Sequence, residues 1–219
     1  MRGSNSAGKA IFSTCLAKEI SKRKNRTLLI DFDILNNHIY HLLDVDKTKI
    51  ITPNINEKII KKDKYLDILI GSSIIFNNNE KISIEELEKT LENLNKIYKY
   101  IIINSSLESF FEFTQKIFKK SNNIIFLVEK TIIDIKKSQN LLKIYLKNWQ
   151  INSEKFEIIL NETTKKILNI KGINKKIYQI KIIENIKYNE KKELLLNEKN
   201  SYIEYKKNEY EKIIEKIEK

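Results

Sequence analysis

This chain has almost no cysteine and no long apolar run. Its single cysteine, Cys15, forms no intramolecular disulfide, so disulfide scaffolds and cysteine-rich metal domains are excluded. No stretch approaches the roughly 18 consecutive apolar residues of a membrane-spanning helix. The amino-terminal residues also lack the charged-then-apolar pattern of a signal peptide, and both observations predict a cytoplasmic protein. Cys15 falls in an apolar stripe at helical spacing, which predicts a buried structural thiol.

Arginine is also scarce, although the chain is strongly basic. The formal net charge is +12, from 41 lysine and arginine residues against 29 acidic ones, but only Arg2, Arg23 and Arg26 are arginine. Proteins that read nucleic acids rely on the planar, bidentate guanidinium group. Lysines spread along every helical segment are instead typical of a solvated surface. The charge therefore leaves DNA binding open without predicting it.

Short apolar runs alternate with longer amphipathic stretches. The short runs are rich in isoleucine, leucine and valine, as in strands buried on both faces, and they lie at 27–31, 66–70, 100–104, 123–128, 156–161 and 178–183. Helical spacing occurs at 9–24, 84–97, 110–119, 132–149 and 202–217. This alternation predicts a three-layer α/β fold, with a mostly parallel sheet between helices on both faces. The economical interpretation is one domain over 1–219, with loops at 77–80 and 197–200.

Glycine is scarce too, yet two of the four glycines lie close together at the start of the chain. The stretch GSNSAGK, from Gly3 to Lys9, fits the pattern G-x-x-x-x-G-K and leads directly into the first predicted helix. In such a loop, backbone N–H groups converge on an anion, the helix N-terminus adds partial positive charge, and the lysine reaches the outer phosphates. The pattern predicts a phosphate-binding loop. The alternative is an ordinary Gly/Ser/Asn turn that caps the helix.

Several later segments, together with this loop, resemble the MinD/ParA group of P-loop ATPases, including its CpaE/TadZ-type pilus-assembly members. The similarity covers nearly all of the chain. Residues 27–45 resemble the second strand and D-x-D switch segment of that group, and 98–106 (YKYIIINSS) resemble its Walker B strand. Residues 156–162 resemble the strand that ends in an adenine-contacting asparagine. Residues 178–202 resemble the late segment that approaches the base and leads to the final helix.

The resemblance implies a role for each matching residue. Asp31 would lie near the shell of a Mg²⁺ ion, and Asn161 would read adenine. Asp33 would orient the attacking water, and Lys9 would act with it in catalysis. From the residues alone, the two aspartates also fit a strand-end turn, and the asparagine fits a simple strand terminus. The phosphates of ATP or ADP would be bound by the loop and the start of the helix, which comprise Gly3, Ser4, Asn5, Ser6, Ala7, Gly8, Lys9, Ala10 and Ile11.

Four departures from that group's pattern affect the chemistry. The lysine that reaches across a nucleotide-sandwich dimer falls at Ser4, and the paired glycines inside the loop fall at Asn5 and Ser6. The magnesium-binding serine or threonine falls at Ala10, which has no side-chain oxygen, and the Walker B aspartate falls at Asn104, a neutral amide. Phosphoryl transfer depends mainly on positioned charge. These changes predict weakened Mg²⁺ binding and weak or lost ATP hydrolysis.

The beginning of the sequence is a fifth departure. Only Met1 and Arg2 precede Gly3, whereas the phosphate loop of this group follows a buried, central strand. The resemblance therefore predicts that the first strand is missing or truncated. Either the recorded start is too late or the gene is a decaying fragment. Whether a receiver-like domain lies upstream stays open.

Three functions stay open, and the first is favoured. It is an ATP-binding protein with weak or lost hydrolysis that acts in positioning or pilus assembly, with a homodimer and a protein partner as its expected interactions. The second is a competent ATPase of the same group. The third is a non-enzymatic scaffold that binds a partner or DNA through its basic surface.

The remaining features favour structural roles. Residues 201–219 carry five lysines and five glutamates, and this zero net charge favours a packed final helix over a stable membrane anchor. His38 and His41 have no third histidine or cysteine near them in the sequence, which favours surface or packing roles over a metal site. Trp149 ends a predicted helix and is expected to pack there.

Overall fold

The computed structural model describes the chain in ranges separated by gaps. These are 8–33, 38–43, 58–70, 76–77, 80–81, 83–105, 111–162, 176–187 and 207–217. Predictions that fall elsewhere, such as the loop at 197–200, lie outside the described residues. Within these ranges strands and helices alternate, and most strand pairs are parallel, so the α/β prediction is confirmed.

The strands form two four-stranded groups and a small hairpin. In the first group the order is β2-β3-β1-β6, and in the second it is β7-β8-β10-β9. Within the described parts of these two groups, β2 and β9, each two residues long, run antiparallel to their neighbours, and β4 pairs antiparallel with β5 as the hairpin. The strands are β1 Thr27–Phe32, β2 Ile60–Lys61, β3 Leu66–Ile70, β4 Phe76–Asn77, β5 Glu80–Lys81, β6 Tyr100–Ser105, β7 Ile124–Glu129, β8 Phe156–Asn161, β9 Lys176–Ile177 and β10 Ile180–Ile186.

Among the described residues, six α-helices precede, separate and follow these strands. Capping residues fix where two of them begin: Ser83 and Glu86 form a reciprocal capping box, and the side chain of Thr131 accepts a hydrogen bond from the N–H of Asp134. The helices are α1 Lys9–Lys22, α2 His38–Leu43, α3 Ile84–Asn95, α4 Phe111–Lys120, α5 Ile132–Lys143 and α6 Lys207–Ile217.

The helices pack in two layers on opposite faces of the strands. Successive side chains of a strand point to opposite faces. Leu29 and Ile159 pack with α1, α2 and α6 on one face. Leu28 and Ile158 pack with α3, α4 and α5 on the other. Because β1 has a layer on each side, all six of its residues are buried, as its apolar sequence predicts.

Three segments differ from the sequence-based prediction. The strand predicted to begin at Tyr178 begins at Ile180, because Tyr178 and Gln179 form the turn from β9 with φ of 45° and 71°. The segment predicted as a loop at 77–80 has its two end residues in β4 and β5. In addition, the helix predicted over 132–149 is α-helical only as far as Lys143, and a π-helical turn follows at Ile144–Asn148.

Three packing predictions are confirmed. Cys15 is a free thiol and only 1% exposed. Trp149 is buried, with its ring 4.6 Å from that of Tyr145. In the final helix, Ile213 and Ile214 are buried in the cluster that includes α1. No helix among the described residues is both long and apolar enough to cross a membrane.

Two buried tyrosines provide a paired test of this core. The hydroxyl of Tyr145 has no hydrogen-bond partner among the described residues, and burial raises its pKa to about 12. The hydroxyl of Tyr98 donates to Asp67 Oδ2 at 2.7 Å. Because an unsatisfied buried hydroxyl is unfavourable, we expect Tyr145→Phe to raise the free energy of unfolding by about 1 kcal/mol and Tyr98→Phe to lower it by about 1 kcal/mol. Urea unfolding measures both. An equal loss in the two variants would contradict the assignment for Tyr145.

Candidate functional site

Gly8 lies where the predicted loop joins α1. Its backbone is left-handed, with φ 74° and ψ 20°, and its carbonyl accepts a hydrogen bond from the N–H of Phe12 at 2.8 Å. A Cβ atom at this position would lie 3.1 Å from Nδ2 of Asn161. Both the dihedral angle and the close approach favour glycine. The start of α1 is therefore placed directly against the last residue of β8.

The carboxyl ends of the parallel strands bring other predicted residues together. Asp31 of β1 lies opposite Asn104 of β6, although the two are 73 residues apart in the sequence. In the second group Asn161 lies opposite Glu129 of β7 and Ile186 of β10. Ligands of open α/β sheets bind outside this edge.

Asp31 is the most completely enclosed acid at this edge. Its side chain is fully buried, and both of its carboxylate oxygens accept hydrogen bonds. Oδ1 accepts from Nδ2 of Asn104 at 2.9 Å and from the N–H of Asp33 at 3.3 Å, while Oδ2 accepts from the N–H of Ile39 at 2.9 Å. Burial raises the pKa of Asp31 above its usual range, although these three hydrogen bonds act in the opposite direction.

The bond from the N–H of Asp33 to Asp31 is the local contact expected of a strand-end turn. The bond from Asn104 spans 73 residues of sequence and that from Ile39 spans eight, so the aspartate also ties β1 to β6 and to α2. Asp33 itself is 5% exposed, and its Oδ2 lies 3.9 Å from Nδ1 of His38. Lys9, Asp33 and Asn104 line one cavity.

Comparison with solved structures shows which known proteins share this fold. MinD from Aquifex aeolicus aligns with 97% of this chain and 91% of its own, at 17% identity and a TM-score of 0.73. A ParA family ATPase from Chlorobium tepidum TLS aligns over 98% and 95%, at 16% identity and a TM-score of 0.69. A putative plasmid partition protein from Borrelia burgdorferi B31, bound to AMPPNP, aligns over 96% and 93%, at 20% identity and a TM-score of 0.65. This chain has the MinD/ParA fold. No protein-family model matches the sequence, and no curated protein matches it.

The described donor atoms around Ala10, Asp31 and Asn104 are already hydrogen-bonded within the protein. Residue 10 is alanine, and the nearby hydroxyl of Ser13 donates to the carbonyl of Ala10 at 3.1 Å. Asn104 presents its amide N–H to Asp31, and both oxygens of Asp31 already accept N–H groups. Magnesium requires oxygen ligands in near-octahedral geometry. Among the described residues, no group of three His, Cys, Asp or Glu side chains is arranged to hold a metal.

The described part of the chain includes only some of the predicted site. Lys9 is the first residue of α1, and Ala10 and Ile11 follow in its first turn, with Ile11 packed on the cluster beneath α1. His38 is exposed, in agreement with a surface role. The remaining loop residues, Gly3, Ser4, Asn5, Ser6 and Ala7, lie outside the described residues, as does the side chain of His41.

A polar cluster at the same edge was missed by sequence reasoning. Lys130, just after β7, lies 2.8 Å from Oε1 of Glu162, just after β8. Asn185 of β10 donates to the same oxygen at 3.0 Å. The carboxylate of Glu162 is nearly buried, so this pair of contacts fixes three adjacent strand ends beside Asn161. The only signal in the sequence is that each residue lies at the end of an apolar run.

Proposed function

We propose that this chain is a MinD/ParA-type nucleotide-binding protein with weak or lost ATP hydrolysis. The observation that carries the proposal is the contact between Gly8 and Asn161. This contact supports the proposal because Gly8, Lys9 directly after it, and Asn161 then lie at one edge of the sheet. The AMPPNP bound to the Borrelia partition protein of similar fold supports a nucleotide as the ligand.

Each residue at this edge has a definite task in the proposal. The first-turn N–H groups of α1 and the ammonium group of Lys9 bind phosphate oxygens, because both carry positive charge. Gly8 leaves room for the loop to approach Asn161, whose amide offers both a donor and an acceptor to a base. A single domain, 1–219, would carry the whole site.

Weak hydrolysis follows from the charges available to the reacting phosphate. Asn104 supplies an amide where a carboxylate would hold metal-bound water, and Ala10 supplies no oxygen. Asp33 is retained and can accept a hydrogen bond from water. Transition-state charge in phosphoryl transfer is stabilised chiefly by positioned cations and donors. With Mg²⁺ held weakly, the nucleotide would act as a structural or switching ligand in a positioning or pilus-assembly system, with a homodimer or another protein as partner.

Calorimetry with ATP and ADP tests the binding site. We expect Lys9→Ala to weaken binding by at least about tenfold, because a charged hydrogen bond contributes about 1.5 to 3 kcal/mol. Lys18→Ala is the matched control, because it removes the same charge from the same helix nine residues, about 14 Å, further on. Affinity in EDTA should stay close to that with Mg²⁺. An affinity that Lys9→Ala leaves unchanged would contradict the proposal that Lys9 binds the phosphates.

A turnover assay tests the second part of the proposal. We expect little phosphate release from the unmodified chain. Steady ATP hydrolysis that Asp33→Ala abolishes would instead show that the chain is a competent ATPase in which other groups compensate for Ala10 and Asn104.

A further inference from the structure

The cluster of Lys130, Glu162 and Asn185 lies on the opposite face of the sheet from Asn161. Side chains alternate between the two faces along a strand, and Leu160 of β8 packs in the cluster with α5. The next residue, Asn161, therefore faces α1, in agreement with its contact with the start of that helix. Glu162 faces the side of α5, as does Asn185, which pairs in register with Leu160. The cluster can therefore act on a ligand at Asn161 only through the end of β8.

Hydrogen bonds from both neighbouring strands hold the backbone around Asn161. Its carbonyl accepts from the N–H of Lys130 at 3.1 Å, and the next N–H, that of Glu162, donates to the carbonyl of Ile186 at 2.9 Å. The carboxylate of Glu162 adds two side-chain contacts, because Oε1 accepts from Nζ of Lys130 at 2.8 Å and from Nδ2 of Asn185 at 3.0 Å. Lys130 thus reaches the end of β8 through both its backbone and its side chain.

The amide of Asn185 indicates that the contact with Glu162 is specific. While Nδ2 donates to the carboxylate, Oδ1 is buried and has no hydrogen-bond partner among the described residues. Turning the amide over would place Oδ1 against the negative charge. An unsatisfied buried oxygen is unfavourable, and an apolar side chain at this strand position would avoid it. The asparagine is therefore explained by the donor that it gives to Glu162.

The ion pair between Lys130 and Glu162 supports the same conclusion. The two side chains are 23% and 5% exposed, so both charges have lost much of their contact with water. Buried ion pairs contribute little net stability compared with apolar residues, but their directional contacts restrict geometry. Together with Asn185, the pair is suited to fixing the position of the end of β8.

A fixed position of Asn161 matters for reading a base. An asparagine amide offers an acceptor oxygen and a donor NH₂ group. Adenine carries an amino group where hypoxanthine and guanine carry a carbonyl oxygen, so an amide that can turn over accommodates either kind. Selection therefore requires an amide held in one orientation, to within about half an ångström. Nδ2 of Asn161 already lies close to the start of α1, where a Cβ on Gly8 would approach it to 3.1 Å. A small displacement of the end of β8 would change that contact.

We propose that Lys130, Glu162 and Asn185 form a positioning cluster that makes the site select adenine over hypoxanthine and guanine nucleotides. The cluster holds the end of β8 against α1, so the amide of Asn161 keeps one orientation toward the base. Glu162 is its central member, because both other residues donate to its carboxylate. The inference rests on the proposed function, and it adds the residues that determine which base is bound.

Calorimetry with ATP and inosine triphosphate (ITP) tests the cluster through the ratio of the two dissociation constants. We expect the unmodified chain to bind ATP at least about tenfold more tightly than ITP, and Glu162→Ala to lower that ratio to about two or less. Glu162→Gln keeps an oxygen acceptor and should retain most of the preference. Glu88→Ala is the matched control, because it removes a glutamate of α3 that lies 3.1 Å from Nζ of Lys116, and it should leave the ratio unchanged.

The ratio separates positioning from a loss of stability. Partial unfolding lowers both apparent affinities by the same factor, so it leaves the ratio unchanged. Asn185→Ala is a milder second variant, because it also removes the unsatisfied Oδ1, and it should lower the ratio about threefold. An unchanged ratio in both Glu162→Ala and Asn185→Ala would overturn the inference, even if both affinities fell.

A double-mutant cycle with Asn161→Ala tests whether the cluster acts through the asparagine. In that background ATP and ITP should bind about equally, and Glu162→Ala should not change their ratio further. A further change would overturn the inference. So would equal binding of ATP and ITP by the unmodified chain, which leaves the proposed phosphate site intact. Absence of ATP binding to the unmodified chain would instead contradict the proposed function, and the inference with it.

Discussion

Asn104→Asp is expected to lower the free energy of unfolding of the metal-free protein by about 3 kcal/mol near pH 7. The substitution changes almost no volume, but it replaces the N–H donor 2.9 Å from Asp31 Oδ1 with a carboxylate oxygen. Asp31 is fully buried, so the new acid also faces little water. Two like charges this close cannot both ionise without a large penalty, and one of them takes up a proton.

The pH dependence of this loss has a definite sign. Burial already raises the pKa of Asp31 in the folded chain above its unfolded value. Between those two pKa values the folded state holds a proton that the unfolded state has released, so stability falls as the pH rises through that window. A second carboxylate widens the window toward higher pH. The deficit of Asn104→Asp should therefore be small near pH 4 and grow toward pH 7.

The exchanged pair, Asp31→Asn with Asn104→Asp, is the matched control. It restores one carboxylate and one amide at the same two positions, so we expect it to recover most of the lost stability. Urea unfolding in EDTA across the pH range measures all three proteins. We also expect saturating Mg²⁺ to stabilise Asn104→Asp and to leave the unmodified chain almost unchanged. Mg²⁺ stabilising both alike would contradict the proposal that Asn104, in place of a carboxylate, weakens Mg²⁺ binding.

The contact between Asn104 and Asp31 illustrates what the sequence could and could not predict. The runs that hold the two residues read as buried strands because their isoleucines and leucines face a helix layer on both sides. The hydrogen bond from the Asn104 amide to Asp31 forms only because β1 pairs with β6, and the two residues are 73 apart in the sequence. Register between distant strands is a tertiary property, and an apolar run does not encode it. The same limit concealed the cluster of Lys130, Glu162 and Asn185.

The turn at Tyr178 and Gln179 was missed for a different reason. Its two φ values are positive, a conformation that glycine, asparagine and aspartate favour and that tyrosine and glutamine rarely adopt. The local sequence therefore reads as the start of a strand. Across the turn Ile177 pairs with Ile180, and both side chains are buried. These contacts form in spite of the unfavourable backbone conformation. Tertiary packing outweighs local propensity here.

Gly8→Ala is expected to destabilise the protein by about 2 kcal/mol and to weaken nucleotide binding. An L-residue at φ 74° is strained, and its Cβ would lie 3.1 Å from Asn161 Nδ2, tighter than nine in ten real Cβ contacts. To relieve that contact, either the start of α1 or the side chain of Asn161 must move by a few tenths of an ångström. Urea unfolding measures the loss, and calorimetry with ATP measures binding. A free energy of unfolding within about 0.5 kcal/mol of that of the unmodified chain would contradict the expected strain at residue 8.

A double-mutant cycle with Asn161→Ala separates the two causes. If the close contact causes the loss of stability, Gly8→Ala should lower the free energy of unfolding much less in the Asn161→Ala background. If backbone strain causes it, Gly8→Ala should lower the free energy of unfolding equally in both backgrounds. We expect strain to carry most of it, because the amide can rotate but φ cannot change without moving the first turn of α1. Lys9 lies in that turn. A change of one methyl group at residue 8 should therefore weaken phosphate binding through the backbone, even where Lys9 and Asn161 are intact.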